Sequence, residues 1–251
     1  MTNQLENKVA IITGAAGGLG RAFALAFAEA GTAVVCADVN WEGVAESAEI
    51  ITQSGGQAIA VRADVTDAAS TNALVTQTLD RWGKIDILVN NAAIYAGIER
   101  KPFWEIDDTM WEKVMAVNVK GMWQMSKSVV PHMFEHGGKI INIGSATFYS
   151  GSTGWLHYVA SKGATIGMTR SMARELGDYN VTVNAIAPGF TLTEASLGIV
   201  ENAARYGINR GAIKRASQAD DMIGTALYLA SSASNFVTGQ TIVVDGGRQF
   251  N

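Results

Sequence analysis

The chain has 251 residues, a net charge of −4, 48% hydrophobic and 17% charged residues, which suits one large domain that buries most of its apolar surface. That balance excludes a disordered or fibrous chain, and the negative charge argues against nucleic acid as the main partner. The lone Cys36 lies in the apolar run Ala33–Ala37, so it reads as a buried, inert thiol rather than half of a disulfide. Residues Met1–Lys8 lack an apolar signal core and the Arg-rich character of a transit peptide, and no run approaches the roughly eighteen apolar residues of a membrane span; a cytoplasmic protein without membrane attachment is expected.

In chain order, β-branched runs alternate with helical patterns. Strands are predicted at Val9–Thr13, Ala33–Asp38, Gln57–Arg62, Ile85–Val89, Lys139–Ile143, Thr182–Ala187 and Thr241–Val244. Helices are predicted at Leu19–Ala30, Trp41–Ser54, Ala68–Trp82, Thr109–Phe134, Leu156–Leu176 and Gln218–Ala230. The run Ile85-Asp86-Ile87-Leu88-Val89 lacks in/out alternation, as strands covered on both faces do. This order predicts an α/β fold: a seven-stranded parallel sheet with helices on both faces and right-handed crossovers, in one doubly wound domain over residues 1–251. The stretch from Gly189 to Ala216 shows no clear strand and suggests short helices hinged at Gly198 and Gly207. It reads as a substrate lid or, less interestingly, as a locally packed surface excursion.

The first strand runs into Thr13-Gly14-Ala15-Ala16-Gly17-Gly18-Leu19-Gly20, and a helix follows. Glycines allow a tight turn and close approach of a pyrophosphate, whose charge meets the positive end of the helix. Asp38 closes the second strand, eighteen residues after Gly20. A carboxylate there accepts hydrogen bonds from ribose hydroxyls and repels a 2′-phosphate, favouring NAD over NADP; its plainer role is to cap the next helix. No basic residue lies in the glycine loop or just after Asp38 to receive the extra phosphate.

Farther along, Tyr158 and Lys162 stand four apart on a predicted helix, on the same face, and Ser145 lies thirteen residues upstream of the tyrosine. An ammonium beside a phenol favours the phenolate, so the trio reads as a proton-transfer site that needs neither histidine nor metal. Lowering the phenol by roughly three pKa units would take about 4 kcal/mol of preferential stabilisation of the anion.

Together these motifs resemble the short-chain dehydrogenase/reductase family, from the first strand to the C-terminal Val244-Asp245-Gly246-Gly247, and so imply a Rossmann fold. The loop resembles Thr-Gly-x-x-x-Gly-x-Gly at Thr13, Gly14, Gly18 and Gly20; Asn90-Asn91-Ala92-Ala93 resembles Asn-Asn-Ala-Gly with alanine in the last place. The resemblance implies cofactor contacts at Gly14, Gly18, Leu19 and Gly20, at Asp38 and Val39, and at the adenine-contacting pair Asp64-Val65. It implies further contacts at Asn90, at Tyr158 and Lys162, and at Pro188, Thr191 and Thr193 beside the nicotinamide carboxamide. The catalytic set it implies is Asn118, Ser145, Tyr158 and Lys162, with Tyr158 as acid/base, Ser145 orienting the substrate oxygen, and Lys162 holding the phenolate and the nicotinamide ribose. Asn118 either holds a water that links Lys162 to solvent or simply kinks its helix. A homotetramer is also implied.

For the substrate pocket, the resemblance points to Ile94, Tyr95, Thr147, Phe148, Trp155, His157, Phe190, Leu192 and Leu197. Their aromatic and aliphatic character predicts a hydrophobic or aromatic secondary alcohol and its ketone, although such residues also serve as core. Arg205, Arg210, Lys214 and Arg215 outnumber Glu201 in the lid and open an alternative, an anionic or sugar-like hydroxy substrate. An oxoacyl-thioester reductase is another. The extra residues around Glu99–Trp104 either wall the cleft or form a looser connection.

Overall fold

A computed structural model describes residues 5–197 and 202–250. Its strands are β1 (Val9–Thr13), β2 (Ala33–Asp38), β3 (Ala58–Arg62), β4 (Ile87–Asn90), β5 (Gly138–Ile143), β6 (Val181–Pro188), β7 (Thr191–Leu192), β8 (Ser217–Gln218) and β9 (Thr241–Val244). Its helices are α1 (Gly18–Glu29), α2 (Trp41–Gln53), α3 (Ala68–Trp82), α4 (Asp108–Met115), α5 (Met122–Val129), α6 (Thr147–Ser150), α7 (Leu156–Leu176), α8 (Glu194–Leu197) and α9 (Asp220–Ala230). Seven strands form one parallel sheet in the order β3-β2-β1-β4-β5-β6-β9. This is the doubly wound Rossmann arrangement, and the order reverses between β1 and β4.

Alternation along each buried strand sends successive side chains to opposite layers. Ile12, Cys36, Val89 and Ile141 lie side by side in register and pack with Phe23 and Phe27 of α1 and Met222 and Ala226 of α9. Their neighbours Ile11, Val35, Leu88, Ile140 and Val183 face the other way, against α3, α5 and α7. Phe23 and Phe27 are fully buried, and each burial contributes up to about 3 kcal/mol. Cys36 is also fully buried, and burial pushes its thiol up to about 12, so it is inert as expected.

Three departures from the sequence reading have physical causes. The single helix expected over 109–134 is broken: a π-helical turn at Ala116–Gly121 separates α4 from α5, and a 3₁₀ turn containing Pro131 ends the run. Gly121 lies where a Cβ would come within 2.6 Å of Val65, so the widened turn seats the helix against the end of β3. The stretch after Gly189 does contain extended chain: β7 pairs with β8 in a small parallel ladder apart from the main sheet, and Gln218 therefore precedes α9 instead of starting it. Gly207, with φ +71°, separates 3₁₀ turns at Ala203–Arg205 and Ile208–Arg210 as a hinge would, whereas the other expected hinge, Gly198, and Glu201 lie outside the described residues. No described helix is long and apolar enough to cross a membrane.

Candidate active site

Strand ends and the loops after them at the C-terminal edge of the sheet surround a cleft of about 760 Å³, at the point where the strand order reverses. One end is the glycine loop between β1 and α1. Gly14 and Gly18 have φ of +68° and +53°, in the left-handed region that glycine adopts without strain. A Cβ on Gly20 would lie 2.0 Å from the Gly14 carbonyl oxygen, so only glycine lets the loop fold back on the helix. Asn91 secures this turn by donating from Nδ2 to the carbonyls of Thr13 and Gly14, at 3.0 and 3.1 Å. α1 begins without a side-chain cap and without an acidic residue in its first turn, leaving its N–H groups and positive end directed at the cleft.

Asp38 sits at the tip of β2 on the same cleft. Its carboxylate accepts from Asn40 N at 3.0 Å and Ala16 N at 3.4 Å, which fixes it and leaves lone pairs for other donors. Arg21 nearby is turned inward, donating to Ala16 O, Ser47 Oγ and Glu46, and Arg62, opposite Asp38 in the β2–β3 ladder, is exposed and off the cleft lining. Val39, Asp64 and Val65 also line the cleft, with Asp64 bonded to the backbone and hydroxyl of Thr66. Pro188, Thr191 and Thr193 bound it on the β6 side. A narrow, uncapped, glycine-built cradle with a carboxylate beyond it fits a dinucleotide's pyrophosphate and adenosine ribose.

At the opposite end stand Ser145, Tyr158 and Lys162, each under a tenth exposed and all lining the cleft. Ser145 follows β5 and accepts hydrogen bonds from Thr147 N at 3.2 Å and Thr147 Oγ1 at 2.9 Å, which aims the serine's own hydroxyl. Lys162 donates from Nζ to the Ile143 carbonyl at 2.8 Å and lies 5.6 Å from the Tyr158 ring centroid. The electrostatics correct one expectation. Within the protein's own groups, burial dominates and pushes the Tyr158 phenol above its ordinary range, helped by Tyr95 and opposed by the Ser145 hydroxyl. Burial likewise pulls Lys162 down to about 8. The low-dielectric pocket thus holds both groups closer to neutrality than the pairing alone suggests.

Asn118 sits on the π-helical turn rather than in the cleft lining. Its Oδ1 accepts from Ile94 N at 2.7 Å, while Nδ2 donates to Ile94 O at 3.2 Å and Ser161 Oγ at 3.1 Å. The side chain therefore braces the segment after β4, with both Nδ2 donors engaged and one lone pair left on Oδ1. Asn90 departs further: its side chain turns into the core and donates to Ser126 Oγ and Asn142 Oδ1 at 3.0 and 2.9 Å. Asn142 passes the ladder on to Thr169, so Asn90 ties β4 and β5 to α5 and α7, and Asn91, Ala92 and Ala93 line the cleft instead.

Of the expected pocket residues, Ile94, Tyr95, Thr147, Trp155 and Phe190 line the cleft. Phe148 is 43% exposed and Leu197 59%, and Leu192 is not on the lining. His157 is buried, its pKa lowered by that burial, with Nδ1 unpartnered among the described residues; a core position explains it better than acid–base work. Tyr95 and Trp155 rings pack 5.5 and 5.9 Å from the Tyr158 ring.

The lid cations fall differently from expectation. Arg215 pairs with both oxygens of Asp221, and Lys214 caps the carbonyls of Asn209 and Gly211. Arg205 and Arg210 are exposed and off the lining. Besides Lys162, the cations that line the cleft are Arg100, Lys113 and Arg248, joined by Tyr206. Sequence reasoning did not single these out, although Arg100 belongs to the Glu99–Trp104 stretch that was one candidate for a cleft wall. Among the described residues, no group of three or more potential metal ligands comes together.

Comparison with known proteins agrees with this geometry. A family model described as enoyl-(acyl carrier protein) reductase matches residues 14–249. The chain is 38% identical over 246 residues to the (2S)-[(R)-hydroxy(phenyl)methyl]succinyl-CoA dehydrogenase subunit BbsD of Thauera aromatica, covering 97% of both. It is 40% identical over 250 residues to the 2-dehydro-3-deoxy-D-gluconate 5-dehydrogenase of Dickeya dadantii, covering 98% of this chain and 97% of the relative. A solved structure from Agrobacterium tumefaciens, assigned as a gluconate dehydrogenase, superposes with a TM-score of 0.92 at 34% identity, covering 99% of this chain and 98% of the other. With its parallel sheet, glycine cradle and Ser–Tyr–Lys wall, the chain belongs to the short-chain dehydrogenase/reductase family of oxidoreductases, which use nicotinamide cofactors.

Proposed function

We propose that this protein transfers a hydride between NAD and a secondary alcohol or its ketone, with Tyr158 as the acid–base group. The observation that carries this reading is one continuous cleft with a glycine cradle and Asp38 at one end and Ser145, Tyr158 and Lys162 at the other. The dinucleotide supplies, when bound, a pyridine ring that accepts or returns the hydride. The protein's own residues do the rest. In oxidation, Tyr158 takes the hydroxyl proton as the C–H bond is lost; in reduction, the neutral phenol gives that proton back. Ser145 orients the reacting oxygen. Lys162, anchored on Ile143, offers positive charge beside the phenolate as it forms.

Asp38, together with the internally engaged Arg21, supports NAD over NADP, since the carboxylate repels a 2′-phosphate and Arg21 is held away from the ribose end. Tyr95, Trp155, Phe190 and Tyr206 give the substrate end an aromatic wall, which supports a hydrophobic or aromatic substrate. The segment around residues 189–216 would act as the lid of a single-domain enzyme. Exposed Phe103, Trp104, Trp123 and Phe236 supply apolar surface of the kind that subunit contacts cover, consistent with the expected homotetramer.

The test is reduced-nicotinamide absorbance over a panel of secondary alcohols with NAD and with NADP. Activity with NAD should exceed that with NADP, and Tyr158→Phe should lower kcat by about 10³-fold or more while NADH binding, read by fluorescence, survives. Retained turnover in Tyr158→Phe would refute the assignment.

A further inference from the structure

We infer that the substrate carries a carboxylate, gripped between Arg100 and Arg248 beyond the aromatic wall; this rests on the hydride-transfer reading of the same cleft. Both arginines line the cleft with Tyr158, and both converge on Tyr206. Arg100 places its guanidinium carbon 4.3 Å from the centre of the Trp155 ring, one aromatic ring away from Tyr158. Its segment is pinned where Lys101 N donates to Gly154 O at 3.1 Å, and Gly154, with φ +81°, leaves room for the Arg100 Cβ.

Arg248 comes from the opposite side, from the C-terminal turn after β9. Its backbone N–H donates to Asp245 Oδ1 at 2.9 Å, which sets the turn. Its guanidinium lies against Gly207, where a Cβ would come within 2.7–2.8 Å of three guanidinium atoms. The glycine therefore makes the space the cation occupies. The same group lies 5.7 Å from the Tyr206 ring centroid. Hydrogen bonding from Arg100, together with the charges of Arg100, Arg248 and Arg210, holds the Tyr206 phenol below its ordinary range, which marks this corner as electropositive.

What sets Arg100 and Arg248 apart is where they sit, not merely that they lack an acid. Arg21, Lys101 and Arg215 each have a carboxylate within 3.0 Å. Arg100 and Arg248 have none within ion-pair distance among the described residues, although they sit together in a concave, aromatic-lined site. Two guanidinium forks without a protein acid, packed on rings in a cleft, are suited to a planar carboxylate, which each can engage through paired N–H donors. The aromatic wall takes the carbon skeleton, and the carbinol end reaches Ser145 and Tyr158. The substrate class is thus a hydroxy acid, and the product the corresponding keto acid. No extra co-reactant is needed: the carbinol loses a hydride to the oxidised cofactor and a proton to Tyr158, and the carboxylate is unchanged.

The experiment is calorimetric titration of the Tyr158→Phe protein loaded with NADH. Two matched pairs serve as probes: 4-acetylbenzoate against 4-methylacetophenone, and 4-oxopentanoate against 2-pentanone. The carboxylate should bind about tenfold tighter or more than its neutral counterpart in at least one pair. Arg100→Gln and Arg248→Gln should each cut that ratio several-fold, and the double variant should bring it to about one. Gly207→Ala, which displaces the Arg248 guanidinium, should act in the same direction as Arg248→Gln. Equal affinities within both pairs, or a ratio that survives the double substitution, would overturn the inference. Titration needs no turnover, so the hydride-transfer reading fails separately, if wild-type protein consumes no NADH with any of the four ketones.

Discussion

At the N-terminal edge of the sheet, Asp86 lies between Lys8 and Lys84 at 2.8 and 3.1 Å and also accepts from Val9 N. At the C-terminal edge, Tyr158 and Lys162 are buried without an ionic partner, and one oxygen of Asp245 and the Trp155 indole N–H lack partners among the described residues. Burial tends to raise the Asp86 pKa, but hydrogen bonds from Lys8, Val9 and Lys84 more than offset it, and its carboxyl stays below the ordinary value. Nothing comparable rescues Lys162. One edge therefore uses charge to hold strands in place, and the other leaves a buried ammonium without a counter-charge, at a cost in stability.

Breaking the second edge should show that cost most plainly. Lys162→Met should lower kcat by about 10²-fold or more while raising stability by up to about 3 kcal/mol at neutral pH, read by denaturant melts. The sign follows from linkage: with the folded value near 8 against an ordinary 10.5, the unfolded chain binds more protons between those limits. Wild-type stability should therefore climb from pH 8 to 10.5 relative to the variant, and the cost is constant below that window. A destabilised Lys162→Met would contradict the contrast.

Gly20→Ala tests the cradle. Its new methyl would meet a backbone carbonyl that cannot swing aside, and a loss of about 1–3 kcal/mol together with weakened NADH binding is expected, by thermal melts and fluorescence titration. On the first edge, Asp86→Asn should cost about 1–3 kcal/mol in urea melts and leave kcat/KM close to wild type. The Asp86 contribution is present above the ordinary carboxylate value and fades as pH falls through the depressed folded one. The mildest effect is a slope: because burial raises the Tyr158 phenol, alcohol oxidation, which needs the phenolate, should keep rising with pH on the alkaline side, while ketone reduction, which uses the neutral phenol, stays level. A flat oxidation profile would remove Tyr158 from the proton path.

What the sequence made legible were features with local signatures. The glycine loop, Asp38 at a strand tip and the Tyr158/Lys162 pair each follow from spacing, and the fold places them around one cleft. Asn90 misled because a motif's position says nothing about which side of a buried strand its side chain takes; here it faces Asn142 across the ladder. The π-helical turn was legible only as the alternative that Asn118 kinks its helix, because its extra residue per turn blends with ordinary helical periodicity. Arg100 and Arg248 lie in irregular segments 148 residues apart, so only tertiary structure reveals that they meet at Tyr206.

The clasp between Asn118 and both backbone groups of Ile94 carries a mechanical implication. It welds the widened turn to the strand exit bearing Asn91, which in turn grips the glycine loop. Shortening Asn118 should thus loosen the cofactor cradle at long range, and faster amide exchange at Ile94 and Gly14 would register a disturbance travelling along this relay of amides.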